Sequence, residues 1–109
     1  MTKIKDLQDN QFDEYVAQND VVLIDFWAPW CGPCKQVSKV IETLSNESKF
    51  NIAKINIDEN QAVAQKLNIR SLPTLVVFQG SKPTYVHVGT LNDSSLQKLK
   101  QAMGVWNGW

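Results

Sequence analysis

The chain's two cysteines, Cys31 and Cys34, lie three positions apart in Trp30-Cys31-Gly32-Pro33-Cys34-Lys35. A thiol pair at that spacing supports either thiol–disulfide exchange or metal binding. The residues that follow keep helical spacing, with Val37, Val40, Ile41 and Leu44 on one stripe. Cys31 is therefore expected at a helix N-terminus, where unpaired backbone N–H groups and the helix dipole favour an anion. Here the anion is a thiolate, the nucleophilic form of cysteine. Cys34 lies one turn further in, close enough to attack a disulfide formed at Cys31. The expected roles follow: Cys31 attacks a substrate disulfide, and Cys34 resolves the mixed disulfide and leaves Cys31–Cys34 oxidised. Pro33 suits a first helical turn, where its missing N–H would have gone unpaired, and Gly32 lets another backbone approach closely. Structural zinc usually needs four ligands. The chain offers one histidine, His87, in a strand-like segment, and no third cysteine. No metal site is expected unless two chains share one ion.

Three other residues bear on this chemistry. Asp25 sits inside the apolar run Val21-Val22-Leu23-Ile24-Asp25-Phe26-Trp27. Burial disfavours an ionised carboxylate and raises its pKa, so such an aspartate can exchange a proton near neutral pH. Resolution requires Cys34 to lose its proton, which gives a nearby base a use. The plainer reading, a strand-end aspartate capping a loop, stays open on these residues alone. Lys54 interrupts the run Ile52–Ile57, and by itself reads as a snorkelling or solvated lysine. Pro73 opens a strand, a place proline tolerates; without further information its peptide bond is expected to be trans.

Alternating helices and strands must position these groups. Asn10 is expected to cap a helix to about Gln18, with Phe12, Tyr15 and Val16 inward. The run 21–27 is apolar on both alternating faces, the pattern of a central strand covered on both sides. The cysteine helix should reach about Asn46. Ile52–Ile57 reads as a second core strand and Ala62–Leu67 as a short helix. Thr74–Phe78 and Tyr85–Val88 read as two strands joined by a turn at Gly80-Ser81-Lys82-Pro83. Asn92 then caps a last helix bearing Leu96, Leu99 and Met103. With Ile4 marking a short first strand, the order β-α-β-α-β-α-β-β-α implies an α/β protein with a mixed sheet between helical layers.

The whole chain excludes several classes. At 109 residues it fits one domain. Eleven basic residues balance eleven acidic ones, which gives no support to nucleic-acid or anionic-membrane binding. No apolar stretch has the length to span a bilayer. Met1-Thr2-Lys3-Ile4-Lys5-Asp6 leads into no apolar stretch, so no secretory signal and a cytoplasmic location are expected. A lone Cys-x-x-Cys is also no disulfide framework of a secreted domain. No Gly-x-Gly-x-x-Gly occurs, so the chain must be reduced by a partner rather than by its own nucleotide. Nothing signals an obligate oligomer, and a monomer is expected.

Asp25-Phe26-Trp27-Ala28-Pro29-Trp30-Cys31-Gly32-Pro33-Cys34-Lys35 resembles the signature of the thioredoxin family. Ile69-Arg70-Ser71-Leu72-Pro73-Thr74 resembles its second landmark and Val88-Gly89 its third, in order and at family spacing over about residues 3–104. The resemblance implies a thioredoxin fold, with a mostly five-stranded mixed sheet sandwiched between helices, in a single domain of residues 1–104. It implies a dithiol reductase of client proteins that uses a reversible Cys31–Cys34 disulfide and is recycled by thioredoxin reductase with electrons from NADPH. It further implies that Asp25 is buried and assists Cys34, that Lys54 lies near Asp25 and tunes it, and that the Leu72–Pro73 bond is cis and faces the cysteines. Trp30, Gly32, Pro33, Leu72, Pro73 and Gly89 would then form a contact surface for an extended client segment.

The chain departs from the family pattern in three places. Lys39 stands where many members have a helix-kinking proline, so a straighter helix is expected. The turn glycine, Gly80, comes one residue early. Val105-Trp106-Asn107-Gly108-Trp109 runs on as a short tail that either docks or frays. Three other functions remain in view. Oxidases and isomerases of this kind usually have a histidine where Pro33 stands, glutaredoxins a different pair between the cysteines, and a thioredoxin-like binding module would need no redox turnover.

Overall fold

Val21–Trp27 forms the strand β2 around which the molecule is built, with Val22 through Phe26 all buried. The computed structural model describes residues 4–47 and 51–104; the expected tail at 105–109, with Trp106 and Trp109, lies outside them. The other strands are β1 (Lys5–Asp6), β3 (Asn51–Asn56), β4 (Thr74–Gln79) and β5 (Lys82–Val88). They form one sheet in the order β1-β3-β2-β4-β5. β1, β3 and β2 run parallel, while β4 and β5 are each antiparallel to their neighbours.

Side chains alternate across each strand, and the two faces are buried against different helices. Val22, Ile24 and Phe26 of β2, Ala53 and Ile55 of β3, and Val76 and Phe78 of β4 join one core. The helices α1 (Phe12–Gln18) and α3 (Ala62–Lys66) cover it through Phe12, Val16 and Val63. Leu23, Ile52, Leu75 and Val77 point the other way, against Val37, Ile41 and Leu44 of α2 (Gly32–Glu47) and Leu99 and Met103 of α4 (Asp93–Met103). Each such side chain contributes on the order of 1.5–3 kcal/mol when fully buried. By the same alternation Asp25 of β2 and Lys54 of β3, which are register partners, stand on the α2 side. The strand period alone therefore puts a carboxylate and an ammonium beneath the cysteine helix.

The expected elements are present with local corrections. Asn10 does not cap α1: a 3-10 turn, Asp9–Gln11, precedes it, and the Gln8 N–H donates to Gln11 Oε1 at 2.9 Å. The turn after β4 is only Gly80-Ser81. Both residues have positive φ, 57° and 70°, as a tight two-residue hairpin requires. Lys82 and Pro83 belong to β5, and proline is tolerated there because β5 is an edge strand. α2 runs unbroken past an exposed Lys39. Asn92 caps α4 as expected, since its Oδ1 accepts the Ser95 N–H while Ser95 Oγ accepts the Asn92 N–H, both at 2.8 Å.

Sequence reading missed one tertiary cap. The first backbone N–H groups of α3 receive no capping side chain from Gln61. Asp9, fifty-odd residues away, accepts them instead: Oδ2 from Ala62 at 3.0 Å and Oδ1 from Val63 at 3.1 Å. Its own N–H donates to Asn60 Oδ1 at 2.9 Å. A carboxylate at that end also suits the helix dipole.

Candidate active site

β2 ends at Trp27, and residues 28–31 carry the chain into α2, which begins at Gly32. Cys31 thus sits immediately before the first helical residue, and Cys34 lies one turn inside. Both are buried, and they are joined as a disulfide with Cα atoms 5.3 Å apart. The Cys34 N–H donates to Cys31 Sγ at 3.2 Å. That amide is one of the helix-terminal donors without an intrahelical acceptor, so the bond gives a Cys31 thiolate both a partner and the favourable end of the dipole. Gly32 and Pro33 are exposed on the outer side of the pair, and a Cβ built on Gly32 would meet nothing within 4 Å.

Asp25 lies beneath the cysteines and is 4% exposed. Burial pushes its carboxyl up from 3.8 to about 7, and the charge of Lys54 on the neighbouring strand offsets part of that rise. Asp25 Oδ1 is buried with no hydrogen-bond partner among the described residues, an environment that penalises the ionised form without abolishing it near neutral pH. A cavity of about 110 Å³ opens between Asp25, Cys34, Lys54, Trp27 and Ser38. Its lining is mostly apolar, with Asp25, Lys35, Ser38 and Lys54 as the polar groups, and its volume has room for water beside them. Lys54 is half-buried, with Nζ 3.8 Å from Asp6 Oδ1 and 5.2 Å from the Trp27 ring centroid.

The contact residues expected around the cysteines divide into two groups. Leu72 packs against Ala28, Cys31 and Cys34, so the 69–74 loop reaches the disulfide. The Leu72–Pro73 peptide bond is cis, as the resemblance implied. The Gly89 N–H donates to Pro73 O at 2.9 Å, which joins the loop to the end of β5. Gly89 has φ +97°, open to glycine and strained for other residues. Trp30 stands apart, 68% exposed, with its Nε1–H donated to Asp58 Oδ1 at 3.0 Å. His87, expected at the surface, is half-buried, and its Nε2 lies 2.8 Å from Thr90 O. Among the described residues no three His, Cys, Asp or Glu side chains converge on a possible metal position.

Sequence reasoning missed Trp27, Asp58 and Ser38. Trp27 lines the cavity and holds Lys54 through its ring face, while Asp58 fixes Trp30. In the sequence Trp27 reads as the end of a core strand within the signature-like run, and its contact with Lys54 comes from the neighbouring strand. Nothing local marked Ser38 or Asp58.

Together, a disulfide at a helix N-terminus, a buried carboxyl of raised proton affinity below it and an open face above it define a dithiol–disulfide oxidoreductase. A family model described as Thioredoxin matches residues 3–102. Thioredoxin 1 of Nostoc sp. is 40% identical over 101 residues, covering 90% of this chain and 94% of the relative. The thioredoxin of Haemophilus influenzae is 37% identical over 99 residues, covering 88% and 92%. Among solved structures, Plasmodium falciparum thioredoxin superposes with a TM-score of 0.83 at 35% identity, covering 90% of this chain and 97% of that one. Malassezia sympodialis thioredoxin superposes with a TM-score of 0.84 at 33% identity, covering 94% and 92%. The chain belongs to the thioredoxin family. It is a protein-disulfide oxidoreductase with the redox disulfide Cys31–Cys34, and its partners are of the family's general kind, a thioredoxin reductase and disulfide-containing clients.

Proposed function

We propose that the chain is a monomeric cytoplasmic reductase of client disulfides, with electrons reaching it from NADPH through thioredoxin reductase. In the reduced protein the Cys31 thiolate attacks a client disulfide, forms a mixed disulfide and releases one client thiolate. Cys34 passes its proton to Asp25 through water in the cavity between them. Its thiolate then attacks Cys31 Sγ, closes Cys31–Cys34 and releases the second client thiolate. Lys54 is a positioning residue that keeps the Asp25 carboxyl near neutrality rather than far above it. Trp30, Gly32, Pro33, Leu72, Pro73 and Gly89 receive the client, with extended backbone lying along Leu72. Residues 1–104 form the working domain.

The observation that supports this reading best is the bond from the Cys34 N–H to Cys31 Sγ above a buried Asp25. It gives the two sulfurs different environments and therefore different roles. The test is coupled turnover: insulin as the disulfide protein, catalytic amounts of this chain, a thioredoxin reductase and NADPH. NADPH should be consumed in step with insulin thiols and only when the chain is present. No consumption with any thioredoxin reductase would refute the reading.

A further inference from the structure

Among the described residues three large apolar side chains are exposed: Trp30, Val86 and Val88. Trp30 flanks the cysteines, but the two valines lie elsewhere. Val88 pairs with Thr74 and Val86 with Val76, so both valines stand on the α1–α3 side of the sheet with the buried Val76. β5 is the outermost strand, and at Val86 and Val88 that face is left uncovered, at 55% and 54% exposure. A groove of about 300 Å³ results. Val86 and Val88 form one wall, Leu67 and Ile69 contribute to the other, and Thr74 and Val76 lie between.

Two features of this groove point to its occupant. The first is proximity: Ser71 and Thr74 of the groove flank Leu72 and Pro73 in the chain and Val88 precedes Gly89, so one end of the groove lies a residue away from the positions that meet the client. At ~3.3 Å per residue, the step from the Thr74–Val88 row to the Val76–Val86 row spans about two residues of an extended chain. The second is charge. Arg70 is the one charged residue lining the groove, and no ion pair among the described residues neutralises it. Its Nε donates to Asn68 Oδ1 at 3.1 Å, which orients a planar fork suited to a carboxylate.

We propose that this groove is a specificity site for clients. It takes an extended stretch of the same client chain that flanks the reacting cysteine, with apolar side chains against Val86 and Val88 and an acidic side chain on Arg70. The inference rests on the reading that Leu72, Pro73 and Gly89 meet the client.

The test uses two disulfide peptides that differ only beside the cysteine, one flanked by Leu-Val-Asp and the other by Ser-Gly-Lys, with the flank placed on either side. A small disulfide without a flank is the reference. The wild type should show a KM about tenfold lower for the apolar-acidic peptide, the size of one good charge-assisted contact plus partial apolar burial. Val86→Ser should raise that KM about threefold, and Arg70→Glu should reverse the charge preference. kcat and the rate on the small disulfide should stay unchanged. Equal KM values for both peptides in the wild type would overturn the proposal, as would variants that slow all three substrates alike. Failure of the wild type on the small disulfide would instead refute the redox reading. The groove is then judged without turnover, by NMR titration with the reduced apolar-acidic peptide. Shifts at the Val86 and Arg70 amides support it, and none there overturns it.

Discussion

Replacing Asp25 by asparagine should make the protein more stable at alkaline pH while making it a slower reductase. The size of the effect follows from burial. In the fold the Asp25 carboxyl is raised from 3.8 to about 7. Ionising it inside the protein rather than in the unfolded chain costs about 4 kcal/mol, at ~1.36 kcal/mol for each tenfold in proton affinity. The native state keeps this proton up to about pH 7, whereas the unfolded chain releases it near 3.8. Stability therefore falls with rising pH across that window, is unaffected by Asp25 below it, and bears the full penalty above it. Asparagine has nearly the same shape and cannot ionise. The unfolding free energy of Asp25→Asn minus that of the wild type should therefore grow by about 4 kcal/mol between pH 4 and pH 8. Other ionisable groups titrate alike in both proteins and cancel in the difference. Guanidinium unfolding of the disulfide forms at several pH values measures it directly. A difference flat with pH to within about 1 kcal/mol would refute the burial argument. The same variant should reduce disulfides more slowly at neutral pH, and unchanged rates would remove Asp25 from the mechanism.

Lys54→Met removes the cation that opposes burial, so the Asp25 titration should move above about 7; NMR of the Asp25 carboxyl carbon reads it, and a lower value would contradict the assigned role. Asp9→Ala strips the first turn of α3 of its cap, and should cost about 1–2 kcal/mol in unfolding free energy with little change in redox rate. A loss below a few tenths would mean that solvent replaces the cap at no cost.

Features governed by local periodicity could be read from the sequence, and features made by tertiary meetings could not. β2 is apolar on both faces because helices cover both, and its bounds match the run that stood out. The α2 stripe and the Asn92 cap are likewise written in neighbouring residues. The same alternation made Asp25 visible as an anomaly, although its depth depends on α2 lying over it. Lys54 by itself looked like an ordinary solvated lysine. Its meaning comes from the register that sets it beside Asp25, and register is a property of two strands. Asp9 capping α3 and Asp58 holding Trp30 join positions tens of residues apart, with no signal in either segment. The misplaced cap at Asn10 has a local cause: Gln8 and Gln11 close a 3-10 turn first, so the helix begins later than its polar residues advertise. At the β4–β5 turn the error went the other way. Lys82 and Pro83 have turn-like composition, but an edge strand accepts both.

The division of labour between the sulfurs is tested most directly by a pair of single substitutions in the intact chain, incubated with a disulfide-containing client and resolved under non-reducing conditions. Cys34→Ser keeps the nucleophile at the helix N-terminus and removes the thiol that resolves it, so a covalent complex with the client should accumulate through Cys31. Cys31→Ser should form none at a comparable rate, because the remaining Cys34 lies one turn inside the helix and lacks the N-terminal amide that supports a thiolate at Cys31. Trapping through Cys34 in preference to Cys31, or no trapping by either variant, would contradict the account.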